Sequence, residues 1–242
     1  MLPLPLACEA AMSRYILKEY GSWVVMTLSF LTGVLVGGVF RFTLIPVYLA
    51  ICLMINSKQA FTLWMRSKDS DSTMYGTVFF AQIVSAAVML FFLVGGPAGK
   101  LLPYAAIPAA YLLLNRFAGE HAIATEVSGF ALLAVAALVS RLLSSGQVDL
   151  RLYLAVALFF TAGVFKVRVQ FRKGVFDRTL MAGYLAFTLA AYYAIGAPLV
   201  ALLPLTENLV SAAMLYKVTL RVTGWTEVLK GICFLLLMGL YY

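Results

Sequence analysis

The chain has 242 residues, of which 63% are hydrophobic and 12% charged, and its mean hydropathy is +0.97. Soluble domains are about half apolar and about a quarter charged, so a water-soluble fold of this size could not bury so much apolar surface. The composition therefore predicts a membrane protein. The net charge of +8 does not indicate a nucleic-acid partner, because the basic residues lie in short connections between apolar runs.

Nine apolar runs are close to the length that is needed to cross about 30 Å of hydrocarbon. Because backbone groups in hydrocarbon must bond within their own segment, we predict that each run is a helix of an all-α transmembrane bundle. Residues 1–21 are predicted to be an N-terminal cytoplasmic segment, and residues 22–242 a single transmembrane domain. The spans lie at residues 22–40, 42–57, 74–95, 99–115, 123–144, 149–166, 178–196, 198–217 and 224–242.

The connections between the spans predict the orientation. Four are tight and contain Gly, Pro or Ser, whereas four are longer and polar, at residues 57–73, 115–122, 166–179 and 217–224. Thirteen Lys and Arg residues lie in the N-terminal segment and the long connections, against four in the tight turns. This bias predicts an internal N-terminus and an external C-terminus, in the cytoplasmic membrane of a bacterium. Spans one to four and five to eight each carry their longest basic connection after the second helix, which indicates a topological repeat.

Several residues inside the spans are unusual for hydrocarbon. Glu207 lies near the middle of span eight and has no visible partner in its own helix, whereas Glu227 and Lys230 are three positions apart in span nine and can neutralise each other. Charges in such places are costly and are typically paired or functional. Gly33 and Gly37 form a pair of small residues that predicts the close approach of a neighbouring helix.

The densest basic cluster is the segment 166–173. One interpretation is a helix end that faces lipid head groups. The other is a cavity that binds an anionic group such as a phosphate, a task for which the planar guanidinium of arginine is suited. On the second interpretation the candidate anion-binding or lipid-binding residues are Asn56, Lys58, Arg66, Asn115, Arg116, Glu120, Glu126, Lys166, Arg168, Arg172, Asp177 and Arg178.

Several chemistries are excluded by the residues present. His121 is the only histidine, so a bis-histidine haem and a histidine-rich zinc site are excluded. The chain contains no Walker loop, no nucleotide-binding glycine fingerprint and no Ser/His/Asp set, and no catalytic residue is identified. The three cysteines show neither a disulfide framework nor metal-site spacing.

The segment Lys18-Glu19-Tyr20-Gly21-Ser22-Trp23 resembles the opening of the YwiC-like family of bacterial membrane proteins, in which a histidine usually stands at the position of Tyr20. Further similarity lies at Asn115-Arg116 through Glu126 and Gly129, at Val167-Arg168, and at Gly224-Trp225-Thr226-Glu227. This family has no settled activity, so the resemblance does not imply one for this chain.

The predicted topology is also similar to that of the UbiA-type intramembrane prenyltransferases, which hold Mg²⁺ and a prenyl diphosphate with Asp-rich motifs after spans two and six. Here Asn56 is followed by aspartates only at Asp69 and Asp71, and the second connection contains only Asp177. These few carboxylates are too sparse a ligand set to coordinate two Mg²⁺ ions. The resemblance therefore supports a UbiA-like fold and counts against the usual metal-dependent chemistry.

Three functions are consistent with the sequence. The favoured hypothesis is a degenerate UbiA-like prenyltransferase that binds a phosphorylated isoprenoid or lipid in a cytoplasm-facing cavity, with transferase activity as an extension of this binding. The second is a non-catalytic membrane subunit of a respiratory or electron-transfer complex, with a quinone or lipid at its surface and other membrane subunits as partners. The third is a transporter that uses Glu207 and Lys230 as polar sites, for which interrupted helices are expected.

Overall fold

The computed structural model describes residue 17 and residues 19–67, 72–172, 174–214 and 219–242. These residues contain nine α-helices, two 3₁₀ helices and no β-strand. The all-α prediction is confirmed, with one α-helix in each predicted span. The helices are α1 (Tyr20–Gly37), α2 (Leu44–Arg66), α3 (Ser72–Val94), α4 (Ala106–Ala118), α5 (Ile123–Ser145), α6 (Leu150–Arg172), α7 (Val175–Ile195), α8 (Thr206–Met214) and α9 (Leu220–Tyr241).

Six of the described helices, α1, α2, α3, α5, α6 and α9, are long and apolar enough to cross a membrane. Helices α4 and α8 have only 13 and 9 residues, and a 3₁₀ helix precedes each of them, at Gly96–Ala105 and Leu199–Leu205. The chain is therefore a multi-pass membrane protein by length and composition. Nine crossings and an internal N-terminus stay predictions.

Two helices extend well beyond the predicted spans. Helix α2 continues from the predicted end at residue 57 to Arg66, and α6 continues from residue 166 to Arg172. Both extensions lack Gly and Pro, so no residue stops the helix where the apolar run ends. Much of the two long basic connections is therefore helical, and Asn56, Lys58 and Arg66 lie on α2.

The chain groups into two compact units, residues 1–23 with 42–99 (unit 1) and residues 24–41 with 100–242 (unit 2). In unit 1, α2 packs against α3 through an aromatic cluster. The ring centroid of Phe79 lies 5.4 Å from that of Phe61 and 6.1 Å from that of Trp64. The division of the chain into residues 1–21 and 22–242 stays a prediction.

Unit 2 is built around α6, whose side chains are buried along most of its length. Phe159 of α6 stacks on Phe234 of α9 with ring centroids 4.0 Å apart, and the hydroxyl of Tyr192 in α7 donates to the carbonyl of Ala155 at 2.7 Å. These contacts place α7 and α9 beside α6.

The close approach predicted at Gly33 and Gly37 of α1 is confirmed. A Cβ atom at Gly33 would lie 2.1 Å from Oγ of Ser140 in α5, and one at Gly37 would lie 2.3 Å from Cβ of Ser144. Because these distances are far below van der Waals contact, α1 can pack on α5 only with glycine at both positions.

Candidate functional site

Four charged side chains form a closed ring of ion pairs inside unit 2. Lys166 comes from α6, Glu207 from α8, and Glu227 and Lys230 from α9; we call them the lysine–glutamate ring. The Lys166 ammonium lies 2.5 Å from Oε2 of Glu207 and 3.0 Å from Oε1 of Glu227. The Lys230 ammonium lies 3.2 Å and 2.5 Å from the same two oxygens. One oxygen of each carboxylate therefore bridges both lysines.

Further polar side chains from α8 hold the ring in place. The hydroxyl of Ser211 donates to Oε1 of Glu207 at 2.6 Å, and the Asn208 carbonyl oxygen accepts a hydrogen bond from the ammonium of Lys230. The Asn208 side chain is fully buried, and its Nδ2 has no hydrogen-bond partner among the described residues. A donor thus remains free beside the ring. On the other side, the backbone of Gly163 faces Glu227, since a Cβ there would lie 3.4 Å from Oε2.

The two lysines of the ring lie well inside their helices, whereas Glu207 lies in the first turn of α8. At 1.5 Å per residue, Lys166 is about 9 Å from the end of α6, and Lys230 is about 15 Å from the start of α9. The side chains of both lysines are buried among apolar helices, where an unpaired charge would be costly. Mutual pairing is what allows the sequence to keep them there.

The two sides of the ring differ in accessibility. The side chains of Lys166 and Lys230 are 1% and 7% exposed, whereas those of Glu207 and Glu227 are 27% and 31% exposed. The carboxylates therefore form the accessible side of the ring and the ammonium groups its buried side. Any molecule that approaches the lysines meets the carboxylates first.

A second ion pair joins the end of α6 to the start of α5. Arg168 donates from Nε to Oε2 of Glu126 at 2.9 Å and from Nη2 to the backbone oxygen of His121 at 2.8 Å. The Arg168 side chain is buried, whereas Arg172, one turn further along α6, is exposed. The two arginines share a sequence spacing that places them on one helical face, but only the outer one is accessible.

Eight of the predicted site residues lie where α4 and α6 end and α5 and α7 begin, at one end of unit 2 that we call the basic end. Arg116 is exposed there, Asp177 is buried, and Arg178 is half-buried with its Nε enclosed and without a hydrogen-bond partner among the described residues. The residues of the basic end are Asn115, Arg116, Glu120, Glu126, Arg168, Arg172, Asp177 and Arg178. Lys166 lies deeper, in the ring.

The other three predicted site residues belong to unit 1. The Asn56 carbonyl oxygen accepts from the backbone nitrogen of Leu17 at 2.9 Å, and Lys58 pairs with Glu19 at 2.7 Å. Arg66 is exposed in the last turn of α2. The convergence of these three residues with the basic end stays a prediction. Asp69, Asp71 and Lys173 lie outside the described residues.

The sequence indicated only part of the ring. The pair Glu227–Lys230 was predicted from its spacing, and its 2.5 Å separation confirms the prediction. Glu207 was expected to lack a partner in its own helix, but Ser211, one turn later, donates to it. The contacts of Glu207 with Lys166 and Lys230 cross between helices, and no short-range pattern in the sequence signals them.

The opposite end of unit 2 carries a cavity of about 490 Å³. Asp149 accepts hydrogen bonds from the backbone nitrogens of Arg151 and Leu152 at 3.0 and 3.2 Å, and the hydroxyl of Tyr242 donates to it at 2.9 Å. Its carboxylate is thus occupied in capping α6. The cavity is lined by Gln147, Val148, Asp149, Arg151, Gly196, Pro198, Tyr241 and Tyr242.

Apolar helices around a buried polar centre define a polytopic α-helical integral membrane protein. The profile of the YwiC-like protein family matches residues 16–141, which is 126 of the 242 residues. The chain belongs to the YwiC-like family. The match includes the Lys18–Trp23 segment and ends within α5, so the similarities predicted near Arg168 and Trp225 lie outside it. No curated protein and no solved structure matches the chain.

Proposed function

We propose that this protein binds a phosphorylated isoprenoid, or another phosphorylated lipid, with its phosphate at the basic end of unit 2. The observation that carries the proposal is Arg178, whose enclosed Nε lacks a hydrogen-bond partner among the described residues, while Arg116 and Arg172 are exposed at the same end of unit 2. A phosphate oxygen is the acceptor that a guanidinium prefers. The apolar helix surfaces beside this end suit an isoprenoid tail.

The orientation and the fold type are part of the same proposal. An internal N-terminus would put the basic end on the cytoplasmic side of a bacterial cytoplasmic membrane. The order of nine helices, with charged residues after the second and the sixth, supports a UbiA-like arrangement. The phosphate is assigned to basic side chains, whose charge is complementary to it, and binding alone is proposed.

The test is to compare a phosphorylated ligand with its alcohol. The purified protein in lipid nanodiscs is titrated with farnesyl diphosphate and with farnesol. We expect farnesyl diphosphate to bind at least about tenfold more tightly, because charge-assisted hydrogen bonds to arginine contribute about 1.5–3 kcal/mol each. Arg178→Gln and Arg116→Gln should each lower this preference, whereas Arg41→Gln, an exposed arginine outside the basic end, should not. Equal affinity for the two ligands would refute the proposal.

A transporter is the second candidate, and the interrupted spans favour it. Spans four and eight hold corresponding places in the topological repeat, and both start as 3₁₀ helices that contain a proline, Pro103 and Pro204. Short, proline-interrupted segments in corresponding places often mark the substrate site of a transporter. Glu207 of the ring follows the second interruption directly.

Alternating access can be tested beside the ring without knowing the substrate. Thr206→Cys is introduced after Cys8, Cys52 and Cys233 have been replaced by serine, and a membrane-impermeant maleimide is applied from each side. A transporter predicts labelling from both sides, since Thr206 is exposed next to Glu207. Labelling from one side only would contradict transport. The third hypothesis, a non-catalytic subunit of an electron-transfer complex, stays a prediction that co-purification in mild detergent can test.

A further inference from the structure

The lysine–glutamate ring places two ammonium groups beneath two carboxylates. Lys166 and Lys230 are 1% and 7% exposed, so each ammonium group needs an anion beside it to remain charged. The anions that now serve them, Glu207 and Glu227, are about a third exposed and occupy the accessible side. An incoming anion can replace the carboxylates without moving either lysine.

We propose that Glu207 and Glu227 occupy the place of the phosphate group of the ligand and are displaced from Lys166 and Lys230 when that phosphate binds. This inference rests on the proposed function, which supplies the phosphorylated lipid. It extends that function by assigning the inner end of the phosphate site to the ring, about 9 Å below Arg172.

The positions of the carboxylate oxygens fit this role. Oε2 of Glu207 bridges the two ammonium groups at 2.5 and 3.2 Å, and Oε1 of Glu227 bridges the same groups at 3.0 and 2.5 Å. Two oxygens that each contact both lysines are what one phosphate group could also provide. The free Nδ2 of Asn208 is a further donor beside the ring, and Gly163 leaves its wall without a side chain next to Glu227.

The charge balance makes the displacement dependent on pH. The ring is neutral, with two ammonium groups and two carboxylates, and a phosphate that displaces both carboxylates adds negative charge to a site enclosed by apolar helices. The displaced carboxylates therefore take up protons. Among the contacts of the described residues, the charged groups that face them include Lys166 from α6 and Lys230 from α9, and the polar groups include Asn208 and Ser211 from α8. Binding that takes up protons becomes tighter as the pH falls, by about tenfold per pH unit for each proton.

The decisive variants are Glu207→Gln and Glu227→Gln, tested with farnesyl diphosphate in nanodiscs. Glutamine keeps the shape of the side chain and removes the competing charge. We expect each variant to bind about tenfold more tightly than the unaltered protein near pH 8, with a weaker dependence on pH. Asp149→Asn is the matched control, since asparagine also caps a helix, and this change lies at the opposite end of unit 2. Unchanged or weaker binding in both glutamine variants would overturn the displacement.

A second measurement uses the unaltered protein, so it stands even if a variant does not fold. Isothermal titration calorimetry in buffers of different ionisation enthalpy counts the protons that are taken up with each farnesyl diphosphate. We expect about one to two protons beyond those taken up by the ligand itself. Zero would overturn the displacement while leaving phosphate binding at the basic end intact. Failure of the proposed function looks different, because farnesyl diphosphate and farnesol would then bind alike.

A competitor without an isoprenoid tail distinguishes a phosphorylated lipid from a free phosphate anion as the ligand. Inorganic pyrophosphate is added to the same titration. Competition by inorganic pyrophosphate at concentrations close to those of farnesyl diphosphate would show that the ring takes a free anion, which contradicts a lipid ligand. Competition only at concentrations about a hundredfold higher is the result expected if the tail contributes to binding through its buried apolar surface.

Discussion

Lys166 of α6 and Glu207 of α8 are 41 positions apart in the chain, and their charged atoms lie 2.5 Å from each other. The pair fixes the short helix α8 against α6. Through Glu227 and Lys230 it also connects α9 to both helices. The polar centre of unit 2 therefore also connects three of its helices.

The first prediction concerns the stability of the ring. Lys166→Met keeps the apolar length of the side chain but leaves two partly exposed carboxylates with one lysine, so we expect a loss of up to about 3 kcal/mol. Lys100→Met, an exposed lysine that donates to the backbone of Gly146, should cost less than about 1 kcal/mol. Steric-trapping or denaturant unfolding in bicelles measures both. Similar losses for the two variants would show that the ring does not stabilise the fold.

The second prediction concerns a double variant in which Lys166→Met is combined with the loss of one carboxylate. Lys166→Met with Glu207→Gln restores the neutrality of the ring, since one lysine and one carboxylate remain. The double variant should be more stable than the sum of the two single losses implies, by at least about 1 kcal/mol. A double-mutant cycle on the same unfolding assay gives this coupling energy. Strict additivity would mean that the two side chains do not interact.

How much of this arrangement the sequence predicts depends on the range of each interaction. Hydrophobicity locates one helix in every predicted span, because the insertion of an apolar run into a bilayer is favourable independently of tertiary contacts. The pair Glu227–Lys230 is local and was predicted. Lys166 and Glu207 come together only through the packing of α6 and α8, so spacing could not reveal their contact.

The helix ends and the interruptions show a second limit. Apolar runs mark where lipid begins, whereas α2 and α6 extend beyond them to Arg66 and Arg172. Glycines and prolines predicted a turn near residues 95–99, but Pro103 lies within a 3₁₀ helix that runs from Gly96 to Ala105. Proline removes a backbone donor and disfavours the α-helix, yet the sequence alone does not show how the chain continues.

The third prediction tests the contact between α1 and α5. Gly33→Ala introduces a Cβ 2.1 Å from Oγ of Ser140 and 2.3 Å from the backbone oxygen of Ala137, so the helices must separate. We expect a loss of about 1–3 kcal/mol on the unfolding assay. Gly21→Ala in the same helix has nothing within 4 Å of the new atom and should be neutral or stabilising. A neutral Gly33→Ala variant would contradict the close packing.

The fourth prediction concerns Arg168 and Glu126. Glu126→Gln removes the charge that neutralises the buried Arg168 guanidinium, whose Nη2 lies 2.8 Å from Oε2. We expect a larger loss of stability from Glu126→Gln than from Lys58→Met, which breaks the more exposed pair with Glu19 in unit 1. The reverse order would show that the pair at the basic end is dispensable for folding.

The orientation gives the fifth prediction. A tag fused after Tyr242 should be accessible to protease in intact spheroplasts, whereas a tag inserted at Gly119, in the connection before α5, should be protected until the membrane is opened. Gly119 is exposed with nothing within 4 Å, so this connection tolerates an insertion. A protected C-terminal tag would place the basic end outside and would contradict a phosphate site that faces the cytoplasm.

The most direct measurement is a cryo-electron microscopy map of the protein in nanodiscs with farnesyl diphosphate. We expect density for the diphosphate between Arg178 and the lysine–glutamate ring, with Glu207 or Glu227 turned away from Lys166. A diphosphate bound only in the cavity beside Arg151, or no ordered diphosphate at a saturating concentration, would contradict it.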